Sequence, residues 1–152
     1  MRRHMGREAP DLAGLRGPAL REGFALVQRT LEDWDVEGPG GSANRFDGAG
    51  EAFFLALIGG RTVGMCGLNL DPFAGDPRVG RLRHLYVHPS HRGARMGRRL
   101  VDACLEVARG PFDRVRLRTF EASAAEFYGR LGFELVDEPD ATHSIRVFAP
   151  PR

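Results

Sequence analysis

From residue 18 onward the apolar positions fall into a helical spacing. Leu20, Phe24, Val27, Leu31 and Trp34 advance by four, three, four and three, which lays one apolar stripe along a helix over residues 18–35. Arg21, Glu22, Gln28, Arg29, Glu32 and Asp33 lie largely off that stripe, so a helix packed on a core is expected. Residues 36–50 break the pattern with five glycines and one proline. A connection of this length is often functional. Its Asn44, Arg45, Phe46 and Asp47 read as a loop beside a substrate. The rhythm then becomes that of strands, over residues 51–58 and 62–70, with Gly59-Gly60 as the hairpin turn between them. Both faces of the first strand are apolar, so cover on both sides is expected. A turn-rich stretch, 71–78, leads to a third strand from Val79 to Val87.

The second half alternates between the two periods. After Gly97 a helix carries Leu100, Val101, Cys104, Leu105 and Ala108 on one face, and Gly110-Pro111 stops it. Arg114 to Thr119 alternates as a strand, with Val115 and Leu117 on one face and arginines on the other. A strand, a crossover helix and a strand make a βαβ unit, so the strands at 79–87 and 114–119 should be parallel. Ser123 to Glu126 reads as a capping box opening a short helix, striped by Ala124, Phe127, Tyr128 and Leu131 and ended by Gly132. Phe133–Val136 and Ile145–Phe148 read as two last strands joined by the long connection DEPDATHS. The expected fold is one α/β domain, a mixed central sheet flanked by helices, over residues 18–148. Residues 1–17 are expected to form a flexible N-terminal segment and 149–152 a tail, with 1–10 left out of the fold.

Composition narrows the class. The chain has 152 residues, 42% hydrophobic and 28% charged, ordinary values for one globular domain. The net charge of +2 makes no demand for nucleic acid. Every basic residue other than histidine is an arginine. Cys66 and Cys104 lie in apolar patterns and read as buried thiols in a reducing compartment, with no disulfide framework and no metal site. No apolar run reaches the length of a membrane span. The basic N-terminus lacks the apolar segment of a signal peptide, so a cytoplasmic location is expected.

The stretch LRHLYVHPSHRGARMGRRL, residues 82–100, carries the chemistry. It is a strand, a proline-marked turn, a basic loop of small residues and a helix start. A helix start has unpaired N–H groups and partial positive charge, which suits an anion. Arg98 and Arg99 fall in the first turn, where cations oppose the macrodipole by a few tenths of a kcal/mol each, of the order of ~0.3. With Arg92 and Arg95 they make sense if a polyanion such as a pyrophosphate sits among them. A solvated basic helix face is the other reading. Resemblance adds to this. The stretch resembles the acetyl-CoA site of the GNAT family of N-acetyltransferases, whose loop reads Arg/Gln-x-x-Gly-x-Gly/Ala after a Leu-Tyr-Val-x-Pro strand end. Leu85, Tyr86, Val87 and Pro89 match the strand, and Arg92 and Gly97 the ends of the loop, with Arg95 where the family has its middle glycine. A second block, Ala124, Phe127, Tyr128, Gly132 and Phe133, resembles the family's Asn-x-x-Ala-x-x-Phe-Tyr-x-x-x-Gly-Phe, with Glu121 at the asparagine position.

The resemblance implies a GNAT-like fold, acetyl-CoA as cofactor, and transfer of its acetyl group to a primary amine by direct attack. It implies that Leu85, Tyr86 and Val87 bond the pantetheine arm and that Arg92, Gly93, Ala94, Arg95, Met96, Gly97 and Arg98 hold the pyrophosphate. Transfer also needs a neutral amine, a donor to the developing oxyanion, which the strand end can supply, and an acid for the leaving thiolate. Tyr128 stands where many family members place that acid. The family's strand glutamate is here Arg83, so His84, Glu121, His143 and water are the candidate bases. Arg83, Asn44, Arg45 and Phe46 are candidate acceptor contacts, with Arg83 suited to an acceptor that carries a carboxylate or phosphate. The acceptor itself is open between small molecules and peptide or protein amines. Family members are often dimers, so a homodimer is among the expected assemblies. The competing function is a catalytically silent acyl-CoA-binding regulatory module.

Overall fold

A computed structural model describes residues 1–4, 46, 48–93 and 95–148. Among the described residues seven strands form one sheet: β1 (Arg2–His4), β2 (Ala52–Ile58), β3 (Arg61–Leu70), β4 (Val79–Val87), β5 (Arg114–Leu117), β6 (Glu134–Glu138) and β7 (Ala141–Arg146). Their order is β1-β2-β3-β4-β5-β7-β6. Only β4 and β5 pair in parallel, as the crossover helix between them requires; the other pairs are antiparallel. That helix is α1 (Met96–Ala108), and α2 (Ala122–Arg130) follows β5. The expected mixed α/β sheet is therefore observed. The predicted helix at 18–35, with Asn44 and Arg45, lies outside the described residues.

Two apolar clusters hold the sheet. On one face Leu100, Val101, Cys104 and Ala108 of α1 meet Ala56, Val63, Cys66, Leu68 and Leu82, joined by Val115, Leu117, Tyr128 and Phe133. On the other, Phe46, Phe53, Leu55, Met65 and Tyr86 form a smaller cluster. Cover on both sides of β2 is thus confirmed, and each fully buried Leu or Phe contributes roughly 1.5–3 kcal/mol. Phe46, read from sequence as a loop residue beside a substrate, is buried, its ring 5.1 Å from that of Phe53. It fits because Gly67 beneath it has no side chain: a Cβ there would lie 2.6 Å from Phe46 Cε1.

Four boundaries differ from the sequence reading. Arg2–His4, within the segment left out of the fold, pair with Phe53–Leu55 of β2; three polar residues have no periodicity to announce a strand. β5 ends at Leu117, and Arg116 on its arginine face is buried because acidic partners reach it. β6 and β7 are joined by the tight turn Pro139-Asp140, with Asp140 at φ +62°. The polar residues DEPDATHS look like a loop, yet Arg114 and Arg116 bind Glu138 on the sheet face and let the strands continue. Finally, α2 starts at Ala122 with Glu121 as its N-cap and no side-chain cap, so the Ser123 capping box does not form. Thr119 Oγ1 accepts the Glu121 N–H at 3.3 Å and turns the chain before Ser123 can cap it.

Candidate active site in the gap between two parallel strands

The parallel ladder between β4 and β5 covers only Val79–Arg81 against Arg114–Arg116. Beyond Arg81 the strands part, and the edge of β4 from Leu82 to Val87 has no ladder partner on that side among the described residues. Its other edge is paired with β3, but with a fault. Gly67 faces Arg83 and Met65 faces Tyr86, so Cys66 stands opposite both His84 and Leu85. This is a β-bulge, and His84 adopts φ +58° within it. A bulge bends its strand and increases the local twist, which carries β4 away from β5.

The gap is a cleft of about 690 Å³. Arg81, Arg83, His84 and Leu85 are on its β4 wall, and Leu117 to Glu121 with Ala124 and Tyr128 form the opposite wall. Tyr128 is 8% exposed and packs between the rings of Phe127 and Phe133, at 5.2 and 5.5 Å. Burial raises the pKa of its phenol well above the usual value, and the nearby Cys66 and Cys104 thiols raise it further. It is therefore a protonated donor at neutral pH.

Past Val87 the chain turns through a short 3-10 helix at Pro89–His91 and enters α1. The N-cap of α1 is Arg95, at φ +62° and with no side-chain cap, so the first N–H groups of the helix stay available. Arg92, Gly93, Arg95, Met96, Gly97 and Arg98 are brought to this one end, while Ala94 lies outside the described residues. Arg92 does not extend freely. Its Nε donates to the Val87 carbonyl at 2.9 Å, and its guanidinium lies 5.6 Å from the Tyr86 ring centre. Gly97 is small for a reason the sequence did not show: a Cβ would sit 3.3 Å from Phe127 Cζ, so the glycine lets α2 pack close to α1.

The three candidate bases are separated. His84 is in the bulge, its ring 6.1 Å from Phe46. His143, on β7, is buried with Nδ1 2.9 Å from Thr142 Oγ1 and its ring 6.3 Å from Tyr128. Glu121 is exposed at the start of α2.

Sequence reasoning missed the cluster that closes the inner end of the cleft. Asp71 Oδ2 accepts from Arg116 Nε at 2.9 Å and from Arg81 Nη1 at 3.4 Å. Arg81 also donates to the Asp140 carbonyl at 2.8 Å, and Arg116 to Glu138 and to the Pro139 carbonyl, both at 3.2 Å. Burial alone would raise the Asp71 pKa. The Arg116 bond, the Phe73 N–H and the charge of Arg81 outweigh it and hold the carboxyl below its ordinary value. Asp71 before Pro72 signalled only a turn; its partners lie 10 and 45 residues away.

The sequence profile of the acetyltransferase (GNAT) family matches residues 20–133. No curated protein matches the chain. Among solved structures, a protein of Exiguobacterium sp. 255-15 assigned as an acetyltransferase is 29% identical, with 95% of this chain and 91% of that one covered and a TM-score of 0.75. An assigned acyl-CoA N-acyltransferase of Klebsiella pneumoniae is 21% identical over 93% and 94%, with a TM-score of 0.64. An assigned streptothricin acetyltransferase of Bacillus anthracis, solved with acetyl coenzyme A, is 19% identical over 62% and 55%, with a TM-score of 0.54. The last two share the fold. With the profile spanning β2 to β5, both helices and the cleft, the chain belongs to the GNAT family of acetyltransferases.

Proposed function

We propose that the chain moves an acetyl group from acetyl-CoA to a primary amine by direct attack, in the gap between β4 and β5. The observation that carries this reading is the parting of β4 from β5 beyond Arg81, which among the described residues opens a cleft with Tyr128 on its far wall. The site fits the cofactor. An amide-bearing arm can pair with the open strand edge as a neighbouring strand would, and Leu85, Tyr86 and Val87 are the residues to hold it. The uncapped start of α1, with Arg92, Gly93, Ala94, Arg95, Met96, Gly97 and Arg98, would hold the pyrophosphate. Bound acetyl-CoA supplies an acyl thioester and a thiol leaving group. A backbone N–H of β4 would donate toward the carbonyl oxygen, where negative charge would gather. Tyr128 would hold a proton for the departing sulfur. Arg83, on the same wall, is the residue that would contact an acceptor bearing a carboxylate or phosphate.

The test is thermal unfolding with and without CoA, followed by thiol release from acetyl-CoA across a panel of amines. A ligand that binds only the folded state stabilises it by about 2.7 kcal/mol at a hundred times its Kd. We expect a clear rise in Tm and amine-dependent thiol release. No shift at saturating CoA would overturn the reading. A shift without release would reduce the chain to an acyl-CoA-binding module.

A further inference from the structure

The outer strands of the sheet border a second cavity, of about 530 Å³, which shares no lining residue with the cleft. Arg114 of β5, Glu134 and Val136 of β6, and Ser144, Ile145 and Arg146 of β7 lie around it. Alternation explains why so many charges meet here. Val115 and Leu117 turn into the cluster that contains α1, and Ile145 packs against it. The residues between them, Arg114, Arg116, Ser144 and Arg146, therefore take the opposite face. The bond from Arg114 Nη1 to Ser144 Oγ, at 3.4 Å, agrees with that placement. The ladder sets Arg114 directly opposite Arg146, and Glu134 directly opposite Ser144. Two guanidiniums in directly opposed positions destabilise a strand pair.

Acids answer only part of this charge. Both oxygens of Glu138 accept from Arg114 at 2.9 Å, and one of them also accepts from Arg116 at 3.2 Å. Asp71 is shared by Arg81 and Arg116. Two carboxylates thus serve three arginines, and Arg146 adds a fourth cation. Among the described residues the Arg146 side chain makes no hydrogen bond or ion pair, and neither does that of Glu134. Glu134 stands two strands away from Arg114, which puts roughly 10 Å or more between their backbones. A carboxylate and a pair of guanidiniums face one cavity without pairing across it.

We propose that this cavity binds a free α-amino acid with an apolar side chain. Its carboxylate lies between Arg146 and Arg114, whose planar forks match two oxygens. Its ammonium faces Glu134, and its side chain lies along Val136 and Ile145. The Ser144 hydroxyl is a further polar contact. A plain anion meets a like charge at Glu134, and a plain amine leaves the arginines unanswered. A molecule with one charge of each sign answers both. Solvated arginines are common on exposed strands. This pair differs in its direct register, beside a cavity with a lone carboxylate on the far side. The proposal does not rest on the acetyltransferase reading, because it is tested by binding alone.

The experiment is isothermal titration of L-leucine into the full chain. Isocaproate, which lacks the ammonium, and isoamylamine, which lacks the carboxylate, are the companion probes. Wild type is compared with Arg146→Gln and Glu134→Gln, both at exposed positions outside the cleft, and thermal unfolding checks that each variant folds. We expect L-leucine to bind wild type and to bind each variant about 10-fold or more weakly, the size of one charge-assisted bond. Isocaproate and isoamylamine should each bind wild type about 10-fold or more weakly than L-leucine. No binding of L-leucine at millimolar concentration would overturn the proposal. Isocaproate binding as tightly as L-leucine would also overturn it and leave a simple anion site. Leucine binding that both variants retain would overturn it by placing the amino acid elsewhere, the cleft included. Thiol release from acetyl-CoA, measured without leucine, stands or falls separately, and its absence would strike the acetyltransferase reading alone.

Discussion

At Val79–Arg81 strand β4 is laddered to neighbours on both sides, whereas from Leu82 to Val87 its ladder among the described residues is with β3. The two ends differ in how they treat buried polarity. At the closed end, Asp71 and Glu138 pair with Arg81 and Arg116, and the carbonyls of Pro139 and Asp140 take two further donors, leaving Arg116 Nη2 without a partner among the described residues. At the open end, β4 leaves β5 and lines a cleft, and the N-cap residue of α1 makes no side-chain cap. The charge cluster closes the inner end together with the apolar packing of Phe112, Val115 and Leu117.

The largest expected effect comes from breaking the closed end. Asp71→Ala leaves Arg81 and Arg116 buried without their shared carboxylate, and losing one partner of a buried ion pair costs about 3–5 kcal/mol. Urea unfolding should show it. The pH dependence has a definite sign. The folded pKa of Asp71 lies below its unfolded value of about 3.9, so its contribution is complete above that value. It is lost as pH falls through the lower folded value. Wild type should weaken over that acid window, and the variant should weaken less. A variant as stable as wild type at pH 7 would show that the cluster does not hold the strands together.

Tyr128→Phe touches the open end alone. It keeps the ring among Phe127, Phe133 and His143 and removes the proton donor. We expect kcat to fall about 10²-fold with the CoA-induced Tm shift unchanged, because the lost interaction belongs to the transition state. Full activity would leave Tyr128 a packing residue and move the acid elsewhere. Because the phenol pKa is raised by burial, no alkaline loss of activity from Tyr128 should appear below its ordinary value of ~10.

The same contrast decides what could be read from the sequence. Elements with a strong period were legible: β4 at Val79–Val87 and the apolar face of α1 need only local spacing. The family was legible through the resemblance of the loop and of the second block. The bulge was not, because it is a property of two strands: residues 82–87 read as one continuous strand until Cys66 is set opposite His84 and Leu85. The closed-end cluster was illegible for a related reason. Arginines alternating along β5 look like a solvent face, and only the fold brings Asp71 beneath them. Polarity was also misread as a break in structure at DEPDATHS, where β6 and β7 in fact continue on either side of Pro139-Asp140.

The smallest expected effect sharpens the open end at Arg95. The N-cap of α1 has φ +62° and ψ 16°, a conformation that costs an L-residue about 1–2 kcal/mol and glycine almost nothing. Arg95→Gly removes that cost, but glycine adds back roughly 0.5–1 kcal/mol through the freedom of the unfolded chain. The net gain is at most about 1.5 kcal/mol, a rise of up to about 3–6 °C in Tm for a chain near this length. Were strain the whole story, the variant would simply be the better protein. The guanidinium gives the counterweight: it stands at the uncapped helix start, where an exposed cation facing a phosphate is worth about 0.3–1 kcal/mol. CoA should therefore bind the variant about 2–5-fold more weakly, with the deficit shrinking at high salt. A higher Tm with unchanged CoA affinity would separate the two roles and leave Arg95 a strained residue with no part in binding. An unchanged Tm would mean that the loop does not hold Arg95 left-handed in solution.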